Sequence, residues 1–317
     1  MRPVSPVMHL TKHHGLGNDF LVLVDLDGRT PVDGATARWL CDRRRGVGAD
    51  GFICVSPAPV PIPTDAEGVT AFQSTVSGGE VLGGPGYRPE HRPEKADGVV
   101  HVSMTLHNAD GTLAEMSGNG IRCLGQAVAR HRGVTSLDLS VATAGGLRRL
   151  RVEPGPADYP DTAWVEVDMG PAQPGPQSAA LPALVDVTKT ATVDMGNPHL
   201  VLLVDDPGVV DLSDLGPACQ AAFPEGINVE VVALAPGNVD SLDLVVWERG
   251  VGLTQACGTG ACAAAHIAHD WGLVGERVRV RMPGGVVDVA LGATVTLAGP
   301  ATFVAEIEVV AHTEVPR

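Results

Sequence analysis

The chain has 317 residues, 44% of them apolar and only 3% aromatic, which is enough for one large or two ordinary domains with cores of Val, Leu, Ile and Ala. A formal net charge of −15 and a pI near 5.0 argue against nucleic acid or an anionic membrane as the main partner. They place no limit on a small substrate, because local charge can oppose the global sign.

The N-terminal stretch MRPVSPVMHLTKHHG has no long apolar run, so no signal peptide is expected. No segment reaches the roughly 18 apolar residues of a membrane span. The six cysteines form no CxxC pair, and the eleven histidines show no HExxH spacing. A reducing, cytoplasmic setting and the absence of a bound metal are therefore expected.

Valine-rich runs bounded by Gly, Pro, Asn or Asp predict strands. They fall at Phe20–Val24, Phe52–Val55, Val99–Leu106, Trp164–Val167, Leu200–Val204, Leu242–Trp247, Val278–Arg281 and Val286–Leu291. Between the second and third lies Pro57–Gly98, which contains seven prolines and seven glycines. That composition predicts a flexible insertion, either a solvated loop or a lid. Helices are predicted over Cys123–His131 and Ala261–Trp271, each closed by a glycine, Gly133 and Gly272.

Each predicted helix follows a Gly-x-Gly turn. The first sits in Glu115–Cys123 (EMSGNGIRC) and the second in Gln255–Cys262 (QACGTGAC). The shared pattern of strands, turn and helix suggests an internal duplication. A helix N-terminus presents backbone N–H groups without intrahelical partners, and glycine lets a ligand approach them. Cys257 stands at such a terminus, where the field should lower its thiol pKa. Cys262, inside the helix among alanines, reads as a core residue. Other polar clusters are ordinary turns taken singly. Together, Asn, His, Glu, Arg and helix N–H groups could grip the carboxylate and ammonium of an amino acid.

These residues carry a resemblance. Lys12–Phe20 (KHHGLGNDF), Gly48–Gly51 (GADG), Asn108–Gly111 (NADG), EMSGNGIRC, Gly196–His199 (GNPH), Ile227–Glu230 (INVE), Glu248–Gly250 (ERG), Thr254–Cys262 (TQACGTGAC) and Pro283–Gly285 (PGG) occur in the order of the diaminopimelate epimerase family. The chain resembles that family over nearly its whole length outside the insertion. The resemblance implies an α/β (α+β) fold of two pseudo-symmetric domains. Each would be a curled, mainly antiparallel or mixed sheet around a central helix, with the active site in the cleft between them. It implies halves at residues 1–155 and 156–301, with a last strand around Thr302–Val310 returning to the first. It also implies a homodimer, an amino-acid substrate, no cofactor, and a reaction that inverts the α-carbon of LL-diaminopimelate to the meso form. By motif, Cys257 and position 117 are the two catalytic groups, with His199 and Glu248 tuning them. Asn18, Asn108, Asn197, Asn228, Arg249, Gly118, Asn119, Gly258 and Thr259 match substrate-binding positions. Gly51 stands where the family often has a substrate-contacting Gln.

The family has cysteine at both catalytic positions; here Ser117 fills the first. An alcohol is a far weaker acid than a thiol, each pKa unit being about 1.4 kcal/mol. A helix end contributes roughly 0.3–2 kcal/mol, too little to make an alkoxide at neutral pH. Cys123 cannot substitute: six residues of helix turn it through ~600° and raise it ~9 Å. Three readings of Ser117 follow. It is a change introduced into an authentic epimerase, or the mark of a slow or altered enzyme acting on this or another amino acid, including by elimination. Otherwise it marks a chain that binds an amino acid without turning it over.

Overall fold

The computed structural model describes residues 7–58, 95–177, 181–182 and 186–310. Most of the Pro/Gly-rich insertion, residues 59–94, lies outside the described residues. The chain divides into two compact units. One comprises Met1–Met116, Gly120–Glu166 and Pro300–Arg317; the other comprises Ser117–Asn119 and Val167–Gly299.

The first unit contains β1 (Val7–Gly15), β2 (Asn18–Val24), α1 (Gly34–Cys41), β3 (Gly51–Pro57), β4 (Lys95–Asn108) and β5 (Leu113–Ala114). After these come α2 (Gly118–His131), whose Gly118 and Asn119 count with the second unit, β6 (Ser136–Thr143), β7 (Gly146–Pro154) and β8 (Thr162–Asp168), whose Val167 and Asp168 also count with the second. β1 pairs antiparallel with β2, β2 parallel with β3, β3 antiparallel with β4, β4 parallel with β6, and β6 antiparallel with β7. The insertion therefore joins two paired strands, β3 and β4.

The second unit holds β9 (Gln173–Pro174), β10 (Lys189–Asp194), β11 (Pro198–Leu203), α3 (Leu212–Gln220), β12 (Asn228–Leu234) and β13 (Ser241–Glu248). It continues with β14 (Gly252–Thr254), α4 (Gly258–Asp270), β15 (Arg277–Met282), β16 (Gly285–Ala290) and the start of β17 (Thr296–Val310). Its pairings repeat the series of the first unit. β10 is antiparallel to β11, β11 parallel to β12, β12 antiparallel to β13, β13 parallel to β15, and β15 antiparallel to β16. The expected duplication is thus present as topology. The latter part of β17, Thr302–Val310, pairs antiparallel with β1.

Burial explains the strand sequences. In the second unit α4 touches β10 to β13, β15 and β16, while α3 covers the other side of β12 and β13. Strands covered on both faces read as continuous apolar runs rather than alternations. Accordingly β12, NVEVVAL, is buried at every position except Leu234. α4 is Ala-rich because it is enclosed; Ala261, Ala263, Ala264, Ala265 and Ala268 are all buried. In the first unit α1 is capped by Asp33, whose carboxylate accepts from the Thr36 N–H at 2.8 Å. Its Ala37, Leu40 and Cys41 pack with Met8, Leu10, Leu21 and Phe52.

All eight predicted strands are present. Both predicted helices are present too but begin earlier, at Gly118 and Gly258, so the Gly-x-Gly turns are themselves the first helical residues. Both end as the sequence suggests. Gly133 and Gly272 adopt φ of 68° and 71°, and their N–H groups close onto Arg130 and His269 carbonyls.

His13 is buried in the first unit. Its Nδ1 lies 2.8 Å from Gln126 Oε1 and its Nε2 lies 2.9 Å from Thr11 Oγ1. Burial, aided by the Arg130 charge, lowers its pKa to about 4. A pKa below the unfolded value means stability is complete above pH ~6.5 and is lost as pH falls toward about 4. The loss is on the order of 3 kcal/mol. Urea unfolding across this range should show that slope, and His13→Gln should remove most of it. A variant that keeps the wild-type slope would contradict the assignment.

A second prediction comes from the two Gly-x-Gly turns. A Cβ placed on Gly118 would lie 2.9 Å from the Gly258 Cα, and one on Gly258 would lie 2.9 Å from the Gly118 Cα. Both obstacles are backbone and cannot rotate away. Gly118→Ala and Gly258→Ala should each lower stability by about 1–3 kcal/mol. Unchanged urea midpoints for both would show that the turns do not touch.

Candidate active site

The duplication gives each residue of one half a counterpart in the other through strand register. Phe20 faces Gly51 across the parallel β2–β3 pair, as His199 faces Asn228 across β11–β12. Two residues further along β3 and β12 stand Ile53 and Glu230. Leu106 faces Ala114, as Val246 faces Thr254, so Asn108 is the counterpart of Glu248. Asn18 matches Asn197. Ser117 and Cys257 each immediately precede their helix.

Strand parity decides which side chains reach α4. Successive residues of a strand point to opposite faces. Leu200, Leu202, Val229 and Val231 pack with α3 residues Leu212 and Cys219, and Val245 and Trp247 pack against the same cluster. His199, Glu230 and Glu248 lie at the alternate positions, on the α4 side. Three polar residues from three adjacent strands are thereby gathered near the start of one helix.

Cys257 is the N-cap of α4, with extended φ and ψ of −127° and 117°. Its Sγ accepts from the Gly260 N–H at 3.3 Å and lies 3.5 Å from Thr259 Oγ1. Its thiol also hydrogen-bonds the Glu248 carboxylate. Glu248 in turn accepts from Thr254 Oγ1 at 2.6 Å. The expectation of a lowered thiol pKa is corrected here. Burial, then the charges of Glu248 and Glu230, push the Cys257 thiol well above its ordinary value. The Thr259 hydroxyl and Gly260 N–H oppose this and are outweighed. Burial also raises both carboxyls, Glu230 and Glu248.

His199 and Glu230 are fully buried, with Nδ1 and Oε1 2.7 Å apart. The other ring nitrogen, Nε2, lies 3.0 Å from Asn197 Oδ1. Glu230 and Thr254 stand in the motifs INVE and TQACGTGAC, but the sequence assigns neither a role; the burial of Glu230 against α4 is seen only in the fold.

The expected binding residues are placed as follows. Ser117, half-buried, precedes the turn whose Gly118 touches Gly258. Asn119 is buried and donates through Nδ2 to the Ala256 carbonyl at 3.0 Å, tying the two turns together. Asn228 is spent on backbone, donating to the Pro198 carbonyl at 3.1 Å and accepting from the Arg249 N–H at 2.8 Å. The exposed Arg249 guanidinium donates to the Glu225 carbonyl at 3.0 Å. In the first unit, Asn18 donates to Asp50 Oδ2 at 2.8 Å and Asn108 donates to Thr112 Oγ1 at 3.0 Å. They flank Gly51, which faces Asn108 across β3–β4. Phe20 Cε1 would meet a Cβ on Gly51 at 2.9 Å, so the aromatic ring occupies that space. Cys123 is a core residue, its thiol raised by burial to about 12. Among the described residues no group of three or more His, Cys, Asp or Glu side chains could hold a metal ion. Among them, too, no helix is long and apolar enough to cross a membrane.

Comparison with known proteins gives the family. The family model for diaminopimelate epimerase matches residues 92–174 and 191–304. A diaminopimelate epimerase of Erythrobacter litoralis is 35% identical over 301 residues, covering 92% of this chain and 93% of that protein. One of Thermobifida fusca is 36% identical over 307 residues, covering 95% and 98%. Among solved structures, a phenazine biosynthesis protein of the PhzF family from Bacillus anthracis superposes with a TM-score of 0.65 at 13% identity, covering 96% of this chain and all (100%) of that one. A hydroxyproline epimerase from Agrobacterium vitis, with bound trans-4-hydroxy-L-proline, gives 0.62 at 16% identity, covering 96% and 92%. These two show a shared fold alone. With a family match across more than half of its length and relatives alike over nearly all of it, the chain belongs to the diaminopimelate epimerase family of isomerases.

Proposed function

We propose that this chain performs cofactor-independent proton abstraction at the α-carbon of diaminopimelate, with acid–base equipment on one side only. The observation that carries the reading is the set of counterparts. His199, Glu230, Glu248 and Cys257 stand where the other half has Phe20, Ile53, Asn108 and Ser117. No side chain in the second series titrates near neutral pH.

The chemistry runs through Cys257. Its proton passes to Glu248, whose raised pKa makes it a competent acceptor. That transfer also removes one of the negative charges opposing the thiolate. The thiolate then takes the α-proton, and the electron pair left on Cα delocalises into the substrate carboxylate. Backbone N–H groups at the helix start stabilise the developing charge. Inversion requires a proton from the opposite face, where Ser117 or a water must donate instead of a thiol. Diaminopimelate as substrate is supported by the names of the curated relatives, and with it the proposal includes a role in lysine and peptidoglycan-precursor synthesis. A cytoplasmic homodimer belongs to the same proposal.

Measured inversion of LL-diaminopimelate should be slow in the wild-type chain and rise about 10²–10⁴-fold in Ser117→Cys. No gain would place the defect elsewhere and favour a chain that only binds. The ascending limb of kcat/KM against pH should follow the raised Glu248 carboxyl, since one proton shared with Cys257 suffices for activity. In Glu248→Gln the thiol must lose its proton to solvent, so the limb should move above the ordinary thiol range. An unmoved limb would remove Glu248 as the acceptor.

A further inference from the structure

Glu248, the proposed acceptor, stands just past the end of a ladder. The last β12–β13 pair is Val229 with Trp247, so backbone pairing to β12 stops one residue short of Glu248. Side chains take over from there. Asn228 Oδ1 accepts from the Arg249 N–H at 2.8 Å. On the α3 face, the Trp247 indole N–H donates to Gln220 Oε1 at 3.2 Å, and Gln220 Nε2 donates to the Ile227 carbonyl at 3.0 Å. An indole N–H only donates and a carbonyl only accepts, so one orientation of the Gln220 amide satisfies both.

Gln220 is the last residue of α3. Its amide therefore ties the end of that helix to the chain entering β12 and to the end of β13 at once. Packing fixes the indole as well. A Cβ on Gly216, about one turn earlier in α3, would run into the ring, and one on Gly252 in β14 would lie 3.5 Å from its Cη2. Trp247 and Glu248 are consecutive and point to opposite faces of the sheet. Holding the indole against α3 thus sets where the Glu248 carboxyl stands on the α4 side, in hydrogen-bonding reach of the Cys257 thiol.

The other half is built differently here. The counterpart of Trp247 is His107, which faces Leu113 as Trp247 faces Leu253. His107 is buried, and its Nδ1 has no hydrogen-bond partner among the described residues. It precedes Asn108, an amide that does not titrate. The tie to a covering helix stands beside the carboxyl and not beside its amide counterpart.

We propose that Gln220 and Trp247 are positioning residues for the first proton transfer, bracing the end of β13 so that the Glu248 carboxyl meets the Cys257 thiol. Both act through Glu248. This rests on the reaction proposed above, in which Glu248 accepts the Cys257 proton.

Trp247→Phe keeps a ring against Gly216 and removes the indole N–H, while Gln220→Leu removes both amide contacts. Each should lower kcat/KM for amino-acid α-proton exchange about ten- to hundredfold at neutral pH. Each should also move the ascending limb upward, by less than Glu248→Gln does, because Glu248 loses part of the Cys257 hydrogen bond that holds its carboxyl down. The double variant should be no slower than the worse single one, since both changes break one shared contact. Carbon-13 titration of the Glu248 carboxyl reads the same effect without turnover, and its midpoint should rise in both variants. A loss by the same factor at every pH, with limb and carboxyl midpoint unmoved, makes the brace structural only and overturns the proposal. So does an unchanged rate, or losses that multiply in the double variant. If Glu248→Gln moves the limb and these variants do not, the brace fails and the proposed reaction stands. If the wild-type chain exchanges no α-proton, the proposed reaction fails, while the carboxyl titration still judges the brace.

Discussion

The contact between Gly118 and Gly258 is the constraint on which the rest depends. A Cβ at either position would drive into the other's backbone. Only glycine at both allows Ser117 and Cys257 to stand at opposite ends of one short backbone contact. Asn119 secures it by donating to the Ala256 carbonyl. The chemistry of the site follows from which residues come immediately before the two glycines. In the proposed reaction, a sulfur at one and an oxygen at the other leave one strong acid–base group.

Duplication explains why that asymmetry extends further. Two halves with the same pairing series place homologous side chains at matching register positions. One half has filled those positions with His199, Glu230 and Glu248; the other has Phe20, Ile53 and Asn108. Their chemical surroundings differ accordingly. Burial, then the charges of Glu248 and Glu230, raises the Cys257 thiol, and the proposed mechanism therefore begins with transfer of its proton to Glu248. Burial protects the sulfur and also makes the acceptor necessary. The helix end alone does not produce the thiolate.

Much of this was legible in the sequence, for reasons particular residues make plain. Valine-rich runs between Gly and Asn gave strands such as Leu242–Trp247 directly. The Gly-x-Gly turns marked both central helices, though their starts lay inside the turns. α1 and α3 were not legible, being only 8 and 9 residues long, and α3 carries Pro217 within it. β7 was obscured by Arg148, Arg149 and Arg151, which interrupt its apolar alternation. The burial of Glu230 has no local signal, because it comes from packing against the start of α4, further along the chain. The direction of the Cys257 shift is not local either: burial, and after it the carboxyls of Glu248 and Glu230 on β13 and β12, outweigh the helix end.

The most direct test is deuterium entry at Cα from D2O, followed separately for LL- and meso-diaminopimelate with the wild-type chain. One-sided acid–base equipment predicts rapid exchange with retained configuration for one stereoisomer and much slower exchange for the other. Equal exchange from both would contradict it, because it would require two competent bases where the two halves supply one.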